Sequence, residues 1–257
     1  MNRHYPLPPR PGLSVVELEE TTSTNDHLKR TPPPGEARLM LVTAESQTAG
    51  RGATGGWQSL PGQNLLFSLG VRPPGLPATQ MFTLSEAACL AVCRALCRFA
   101  PGFRVKWPND IYHGDHKAVG ILIENELQGR HIAASVIGIG VNVNQRIFLP
   151  DAPNPTSLAL ILGHEVDRTA VLQAILEEFD AVYTMVEQGL YDHLHAVYTA
   201  RLYRLGEPAR YRDGHGPFRA TMEGVEPDGH LRLRDDGGLL RRYAFKEVQF
   251  IPPQANE

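Results

Sequence analysis

Two hydrophobic patterns divide the chain near residue 205. Up to that point, short apolar runs typical of buried strands occur beside longer segments of helical spacing, most clearly Gln80–Phe99. Beyond Gly206 the apolar runs are short and recur every eight to ten residues, with Asp-Gly and Gly-Gly turn signals between them. The pattern predicts a larger α+β unit over residues 1–205 and a small five-stranded β-barrel over residues 206–257.

The larger unit is predicted to mix strands and helices without regular βαβ alternation. Its predicted strands are Ser14–Leu18, Leu39–Ala44, Leu65–Val71, Arg104–Trp107, Val119–Glu126 and Ile132–Val143. Its predicted helices are Asp26–Arg30, Gln80–Phe99, Ser157–Leu162, Arg168–Gln188 and Tyr191–Tyr203. The strands predicted for the small unit are Ala209–Arg212, Phe218–Val225, Leu231–Arg234, Leu239–Tyr243 and Val248–Ile251.

Composition and charge narrow the class of protein. Lys and Arg total 25 and Asp and Glu total 28, and the formal charge of -3 argues against a dedicated polyanion binder. Hydrophobic residues make up 42% and charged residues 21%, which excludes global disorder. We find no apolar run near the ~18 residues that span a membrane and no secretory signal. The predicted compartment is therefore the cytoplasm.

The three cysteines are Cys89, Cys93 and Cys97, which share one face of the long predicted helix. An odd, clustered set is not a disulfide framework. No further ligand lies near them in sequence, so a packing face is favoured over a metal site.

A glycine-rich segment, Gln47–Trp57, lies between two predicted strands. Its glycines let several backbone N–H groups point into one concavity, and Arg51 adds a cation suited to carboxylate or phosphate. The segment is not a P-loop, because no Gly-Lys-Ser/Thr follows. Composition alone leaves a mobile hairpin loop as the alternative.

A second candidate segment is Lys106–Asp110, followed by Lys117. Trp107-Pro108 favours an extended turn that places Asn109 and Asp110 at the end of a strand. Lys117 opens the next apolar strand, where a lysine is costly unless it meets an anion. The alternative is an edge lysine whose ammonium group extends into water.

Two weaker signals complete the candidates. Gly138 and Gly140 alternate in a strong strand and leave room for the close approach of a ligand, with Asn142 on the same face. The Thr22–Asn25 cluster fits a helix N-cap, and its polar groups are also suited to a small polar ligand head.

Together these segments resemble the biotin protein ligases, also called biotin–[acetyl-CoA-carboxylase] ligases. The resemblance covers roughly Thr21 to Gln188, and the combination of motifs is specific although each motif alone is not. The matching segments are Ser23-Thr24-Asn25, Gln47, Gly50-Arg51-Gly52, Lys106–Asp110, Lys117, Gly120–Glu124 and Gly138–Asn142. The C-terminal Pro227-Asp228-Gly229 and Tyr243–Phe250 also resemble the small SH3-like domain of the family.

The resemblance implies a mixed-sheet catalytic domain of the class II synthetase type with flanking helices, followed by an SH3-like barrel. It implies that biotin and MgATP, both substrates, form biotinyl-5'-AMP and pyrophosphate, with no permanently bound cofactor. The activated biotin then passes to a lysine of a biotin carboxyl carrier protein. The expected protein is a monomer or homodimer, since His131–Val143 could pair as an exposed strand, and it binds neither DNA nor membrane.

The resemblance also implies roles for single residues. Its biotin contacts are Ser23, Thr24, Asn25, Gln47, Arg51, Gly52, Ala53 and Lys117. Its nucleotide contacts are Arg51, Trp57, Asn109, Lys117 and Asn142. As catalytic residues, Lys117 and Arg51 neutralise the reacting anions, and Asp110 receives or orients the amine of the incoming lysine. The residues that bind Mg²⁺ are not assigned.

Two departures from the family pattern stand out. Many members carry a second basic residue in the glycine-rich loop where this chain has Ala53. This implies either weaker closure over the adenylate or compensation by Arg51, the glycine N–H groups or Arg104. Only 22 residues precede Ser23, too few for the DNA-binding domain of the bifunctional members, so the chain resembles the monofunctional ligases. The alternative activity is that of a lipoate or octanoate ligase or transferase of related fold.

Overall fold

The computed structural model describes residues 5–31, 37–52, 55–57, 59–149 and 154–252. The strands are β1 (Leu13–Thr21), β2 (Leu39–Gln47), β3 (Leu65–Val71), β4 (Phe103–Lys106), β5 (Asp110–His113), β6 (His116–Gln128), β7 (His131–Val141), β8 (Pro208–Asp213), β9 (Gly216–Val225), β10 (Leu231–Asp235), β11 (Leu240–Tyr243) and β12 (Gln249–Phe250). The α-helices are α1 (Thr24–Arg30), α2 (Phe82–Cys97), α3 (Leu158–Leu162), α4 (Arg168–Glu187) and α5 (Tyr191–Thr199). The α+β class predicted from the sequence is confirmed.

Seven strands form one mixed sheet in the order β1-β2-β3-β7-β6-β5-β4. β1 and β2 are parallel, and the other neighbours are antiparallel. β7 lies inside this sheet and pairs with β3 on one side and β6 on the other. The expectation that His131–Val143 is an exposed strand is therefore wrong.

The long helix α2 forms the centre of the core. Alanine and cysteine occupy half of its buried positions, so α4 and α5 can pack closely against it. Cys93 donates a weak hydrogen bond from its thiol to the carbonyl of Phe103 at 3.4 Å, and Cys89 is fully buried. The segment Ala78–Cys97 does reach the length and hydropathy of a membrane span, contrary to the sequence expectation, but 67% of it is buried inside the fold, as in a core helix.

Two elements differ from their predictions. The sequence pattern missed β5, whose four residues contain only two apolar ones, Ile111 and Tyr112. Helix α5 ends at Thr199, and residues 200–205 form turns where a continuing helix was predicted.

A second, five-stranded antiparallel sheet has the order β11-β10-β9-β8-β12. Its buried residues belong to the same apolar cluster as the core of the larger sheet. The Trp107 indole also donates a hydrogen bond to the carbonyl of Gly229, at 2.8 Å. Gly229 has φ +92°, and a Cβ there would lie 2.7 Å from the ring of Phe82. The domain division at residue 205 stays a prediction.

Candidate active site

The candidate site lies on the face of the larger sheet that carries α1. Small residues follow one another across its central strands: Ser68 of β3 is opposite Gly138, and Gly120 of β6 is opposite Gly140. Because side chains alternate along a strand, Gly138 and Gly140 point to the same face. These positions form a shallow floor on which other groups can approach the backbone closely.

Asn25 fills the space in front of Gly138, so a side chain larger than hydrogen at that position would collide with its amide. Asn25 donates to Glu124 at 2.8 Å and accepts from the Ser68 hydroxyl at 2.6 Å. The hydrogen bond network continues through Thr24, whose backbone N–H donates to the side-chain oxygen of Gln47 at 2.8 Å. This polar end of the site is therefore fixed by mutual hydrogen bonds.

Ser23 is the N-cap of α1 and accepts a hydrogen bond from the backbone of Asp26, which confirms the predicted cap. The cap starts the helix so that Thr24 and Asn25, its first two residues, are buried against the sheet. Sequence reasoning thus found one end of the site through a local helix signal.

Trp57 covers the rest of the floor. Its indole lies against Gly120 and Gly140, and a Cβ on Gly120 would be 2.7 Å from the ring. With the indole in place, the cavity volume is about 40 Å³. The indole Nε1 is buried and has no hydrogen-bond partner among the described residues. An unpaired buried N–H is costly, and this cost marks the indole as a group that a ligand can displace.

Residues 50–52 and 55–57 of the glycine-rich segment pair in antiparallel fashion as the two sides of a narrow hairpin. The backbone N–H of Trp57 bonds to Gly50 and that of Gly52 bonds to Gly55, at 2.9 and 2.6 Å. A Cβ on Gly50 would lie 2.7 Å from the Trp57 carbonyl, which explains the glycine there. Ala53 lies outside the described residues.

Arg51 extends from this hairpin towards α1 and β6. Its guanidinium pairs with Asp26 at 2.5 Å and lies 3.8 Å from Glu124. Burial favours a higher pKa for Glu124, but hydrogen bonds from Lys29 and Asn25 outweigh it and lower that pKa below its usual value. Arg51 is about half exposed, so the pair is weak enough for the arginine to change partners.

Lys117 and Asp110 form an ion pair at the other end of the cavity, with Nζ and Oδ1 2.7 Å apart. Their side chains are 20% and 19% exposed, so solvent screens the pair only in part. The backbone of Lys117 forms a parallel β-bridge with that of Pro155. Its ammonium group lies 5.8 Å from the centre of the Trp57 ring. The pair therefore offers a fixed cation and a fixed carboxylate beside one space.

The structure brings together most of the residues selected from the sequence. Lining the cavity are Ser23, Thr24, Asn25, Gln47, Arg51, Gly52, Trp57, Asp110 and Lys117. Asn109 and Asn142 are not among its lining residues, and their amides donate to the carbonyls of Ile121 and Thr156. Their nucleotide role stays a prediction.

Sequence reasoning missed Ser68 and gave Glu124 no role. Ser68 is fully buried and bonds to both Thr24 and Asn25. One signal was available: a lone serine in the otherwise apolar strand Leu65–Val71 must find a partner when it is buried.

Comparisons with known proteins agree with this geometry. A family model described as the biotin/lipoate A/B protein ligase family matches residues 17–142. The chain is 33% identical to the biotin–[acetyl-CoA-carboxylase] ligase of Paracoccus denitrificans, over 86% of this chain and 94% of that protein. It is also 33% identical to the ligase of the same name from Mycobacterium tuberculosis, over 88% and 84%. Among solved structures, the biotin protein ligase of Aquifex aeolicus in complex with biotin and ATP matches with a TM-score of 0.76 and 26% identity, covering 93% of this chain and 99% of that one.

Proposed function

We propose, since this chain belongs to the biotin/lipoate A/B protein ligase family, that it activates biotin with ATP and transfers it to a lysine of a biotin carboxyl carrier protein. The observation that carries the proposal is the Lys117–Asp110 pair at one end of a cavity whose other end is polar and fixed. Such a cavity suits a ligand with a polar ring at one end and a carboxylate at the other.

In the first half-reaction a carboxylate oxygen of biotin attacks the α-phosphorus of MgATP, and pyrophosphate leaves. Two anions must approach each other, so cations have to neutralise them. Lys117 is placed to contact both the carboxylate and the phosphoryl oxygens. Arg51 supplies a second charge once it exchanges Asp26 for the substrate, because its present ion pair is solvent-exposed.

In the second half-reaction the neutral amine of the acceptor lysine attacks the acyl carbon of biotinyl-5'-AMP, and AMP leaves. The amine must lose a proton as the amide bond forms. Asp110 lines the cavity and lies 2.7 Å from Lys117, so it accepts that proton or orients the amine.

The polar end of the cavity holds the biotin head group. Ser23, Thr24, Asn25 and Gln47 offer hydroxyl and amide groups there, and all four line the cavity. The hairpin of the glycine-rich segment, with Trp57, closes over the substrates and excludes water from the adenylate. Ala53 brings no charge to the closed loop, where many members of the family carry a second basic residue.

The experiment is biotin-dependent exchange of labelled pyrophosphate into ATP, run beside lipoate and octanoate. We expect pyrophosphate to exchange into ATP when biotin and Mg²⁺ are present, and not when lipoate or octanoate replaces biotin. Exchange with lipoate or octanoate but not biotin would establish the alternative activity instead. Absence of exchange with any acid would refute an adenylating enzyme.

Three further features are part of the proposal. Residues 206–257 act as a separate SH3-like domain, the protein works in the cytoplasm, and it is a monomer or homodimer. The relatives named above are called ligases of acetyl-CoA carboxylase, which supports a carboxylase as the source of the carrier protein. The expectation that the chain binds no DNA rests on its -3 charge.

A further inference from the structure

A buried asparagine, Asn64, joins the chain that follows the glycine-rich segment to the chain that follows β7. Only 1% of its surface is exposed. Its side-chain amide donates to the hydroxyl of Ser59 at 3.0 Å and to the side-chain oxygen of Gln145 at 2.7 Å. Its side-chain oxygen accepts from the backbone N–H of Val143 at 2.9 Å. The amide and the oxygen are thus both in use, which fixes the orientation of the side chain.

Gln145 makes the complementary contacts, and we call the two side chains the Asn64–Gln145 clasp. Gln145 is 6% exposed. Its side-chain oxygen also accepts from the backbone N–H of Leu60 at 3.2 Å, and its amide donates to the carbonyl of Ile147 at 2.9 Å. The clasp therefore takes the place of water for polar groups of both segments, and breaking it would leave buried groups unpaired.

On one side the clasp holds the hairpin of the glycine-rich segment. Ser59 comes two residues after Trp57, and two residues of chain span at most ~7 Å. The backbone N–H of Trp57 is itself bonded across the hairpin to Gly50, at 2.9 Å. A displacement of Ser59 is therefore transmitted to the side of the hairpin that carries the indole.

On the other side the clasp leads to Lys117. Val143 follows Asn142, whose backbone N–H donates to the carbonyl of Ala118 at 2.9 Å. The side-chain amide of Asn142 donates to the carbonyl of Thr156 at 3.0 Å, and the backbone N–H of Thr156 donates to the carbonyl of Lys117 at 2.9 Å. Hydrogen bonds and short stretches of backbone thus connect the clasp with Lys117.

The base of the clasp is attached to the larger sheet. Asn64 directly precedes β3, and its carbonyl accepts from the guanidinium of Arg168 at 3.2 Å. Arg168 also pairs with Glu45 of β2 at 3.1 Å. Because the fold holds Asn64 in this way, Asn64 sets the position of the two segments rather than following them.

We propose that Asn64 and Gln145 are positioning residues that set the place of the hairpin relative to Lys117. This rests on the proposed function, in which the hairpin covers the substrates and Lys117 contacts the reacting oxygens. A shift of one against the other separates the reacting groups, and misplacement by ~1 Å costs on the order of 10²-fold in rate. Biotin alone keeps its own contacts, so its affinity is retained.

A direct contact also links the two parts, because the Lys117 ammonium lies 5.8 Å from the centre of the Trp57 ring. That contact does not pass through Ser59 or Gln145. Changes at Ser59 and Gln145 therefore report on the clasp and leave the direct contact in place.

The test compares the wild type with three variants: Gln145→Ala breaks the clasp, Ser59→Ala removes one hydrogen bond on the hairpin side, and Ser59→Thr keeps the hydroxyl. Gln173→Ala is the matched control, because it removes a glutamine whose amide bonds to Glu177 within α4. Three quantities are measured: the single-turnover rate of adenylate formation at saturating biotin and MgATP, biotin affinity by titration calorimetry, and hydrogen exchange of the Thr156 amide in the free protein. Melting curves show that each variant is folded.

We expect Ser59→Ala and Gln145→Ala to lower the rate of adenylate formation roughly 2–10-fold, as for a lost neutral hydrogen bond, while biotin affinity stays within about twofold. The Thr156 amide should exchange faster by a similar factor, and Ser59→Thr and Gln173→Ala should behave as the wild type does.

An unchanged rate in both alanine variants overturns the proposal, and so does a loss of biotin affinity as large as the loss of rate. If the wild type forms no adenylate, the proposed function fails. Hydrogen exchange of Thr156 in Ser59→Ala then still decides whether the clasp connects the hairpin with Lys117, and an unchanged exchange rate refutes that connection.

Discussion

The position of Trp57 leads to a quantitative prediction about biotin binding. The indole lies against Gly120 and Gly140 and leaves a cavity volume of about 40 Å³. A bicyclic ligand head and the indole cannot occupy this space together. Biotin must therefore displace the indole before it binds, and the displacement reduces the observed affinity.

The cost of displacement follows from the contacts of the indole. A buried tryptophan covers up to roughly 200 Å², and half of that for a part-buried ring, ~100 Å², is worth about 2.5 kcal/mol. Release of the unpaired Nε1 to water returns about 1–2 kcal/mol. The net cost is about 1 kcal/mol, so Trp57→Ala is expected to bind biotin roughly fivefold more tightly than the wild type.

The assay is titration calorimetry with biotin and no nucleotide. Leu60→Ala is the matched control, because Leu60 is exposed, follows the same hairpin and does not line the cavity. We expect the control to bind biotin as the wild type does. If Trp57→Ala binds biotin no more tightly than the wild type does, the indole does not compete with biotin for the cavity, and the reasoning is refuted.

Three further predictions follow from single contacts, the last of them between His195 Nδ1 of α5 and Glu86 Oε1 of α2, 2.6 Å apart. Lys117→Ala should slow pyrophosphate exchange on the order of 10²–10⁴-fold; a folded variant with near-wild-type turnover contradicts its role. Ser68→Ala should lower the free energy of unfolding in urea by about 1–3 kcal/mol, because Asn25 loses a buried donor; an unchanged midpoint would show that the bond contributes nothing. The hydrogen bond to Glu86 raises the pKa of His195, and burial raises that of Glu86 although His195 opposes it. The folded state thus holds more protons than the unfolded state. The melting temperature should therefore fall as pH rises from the ordinary histidine pKa of 6.5 through the raised value, and Glu86→Gln should flatten that fall. An equal dependence of melting temperature on pH in the variant contradicts the linkage.

Much of the fold could be predicted from local pattern. Leu65–Val71 was predicted with the bounds that the structure gives, because a continuous apolar run between polar segments has one interpretation. The glycines at positions 138 and 140 indicated a close approach, and the structure places Asn25 and Trp57 there. These features depend on neighbours in sequence or on the alternation of a single strand.

The rest depends on distant pairing, which local pattern does not contain. β5 is held by β4 and β6 and has too few apolar residues to be recognised alone. The expectation of an exposed strand at β7 is wrong because nothing in its own residues shows that β3 covers its second edge. The ion pair of Arg51 with Asp26 joins residues 25 positions apart. It depends on where the hairpin of the glycine-rich segment packs, which composition does not determine.

The link between Trp107 and Gly229 restricts how far this chain can be shortened. A truncated enzyme that stopped at residue 205 would leave the Trp107 indole N–H without its acceptor and uncover the ring of Phe82. Trp107 belongs to the same segment as Asp110, so the damage would begin next to the chemistry. A compact reagent for labelling proteins therefore has to keep the C-terminal sheet.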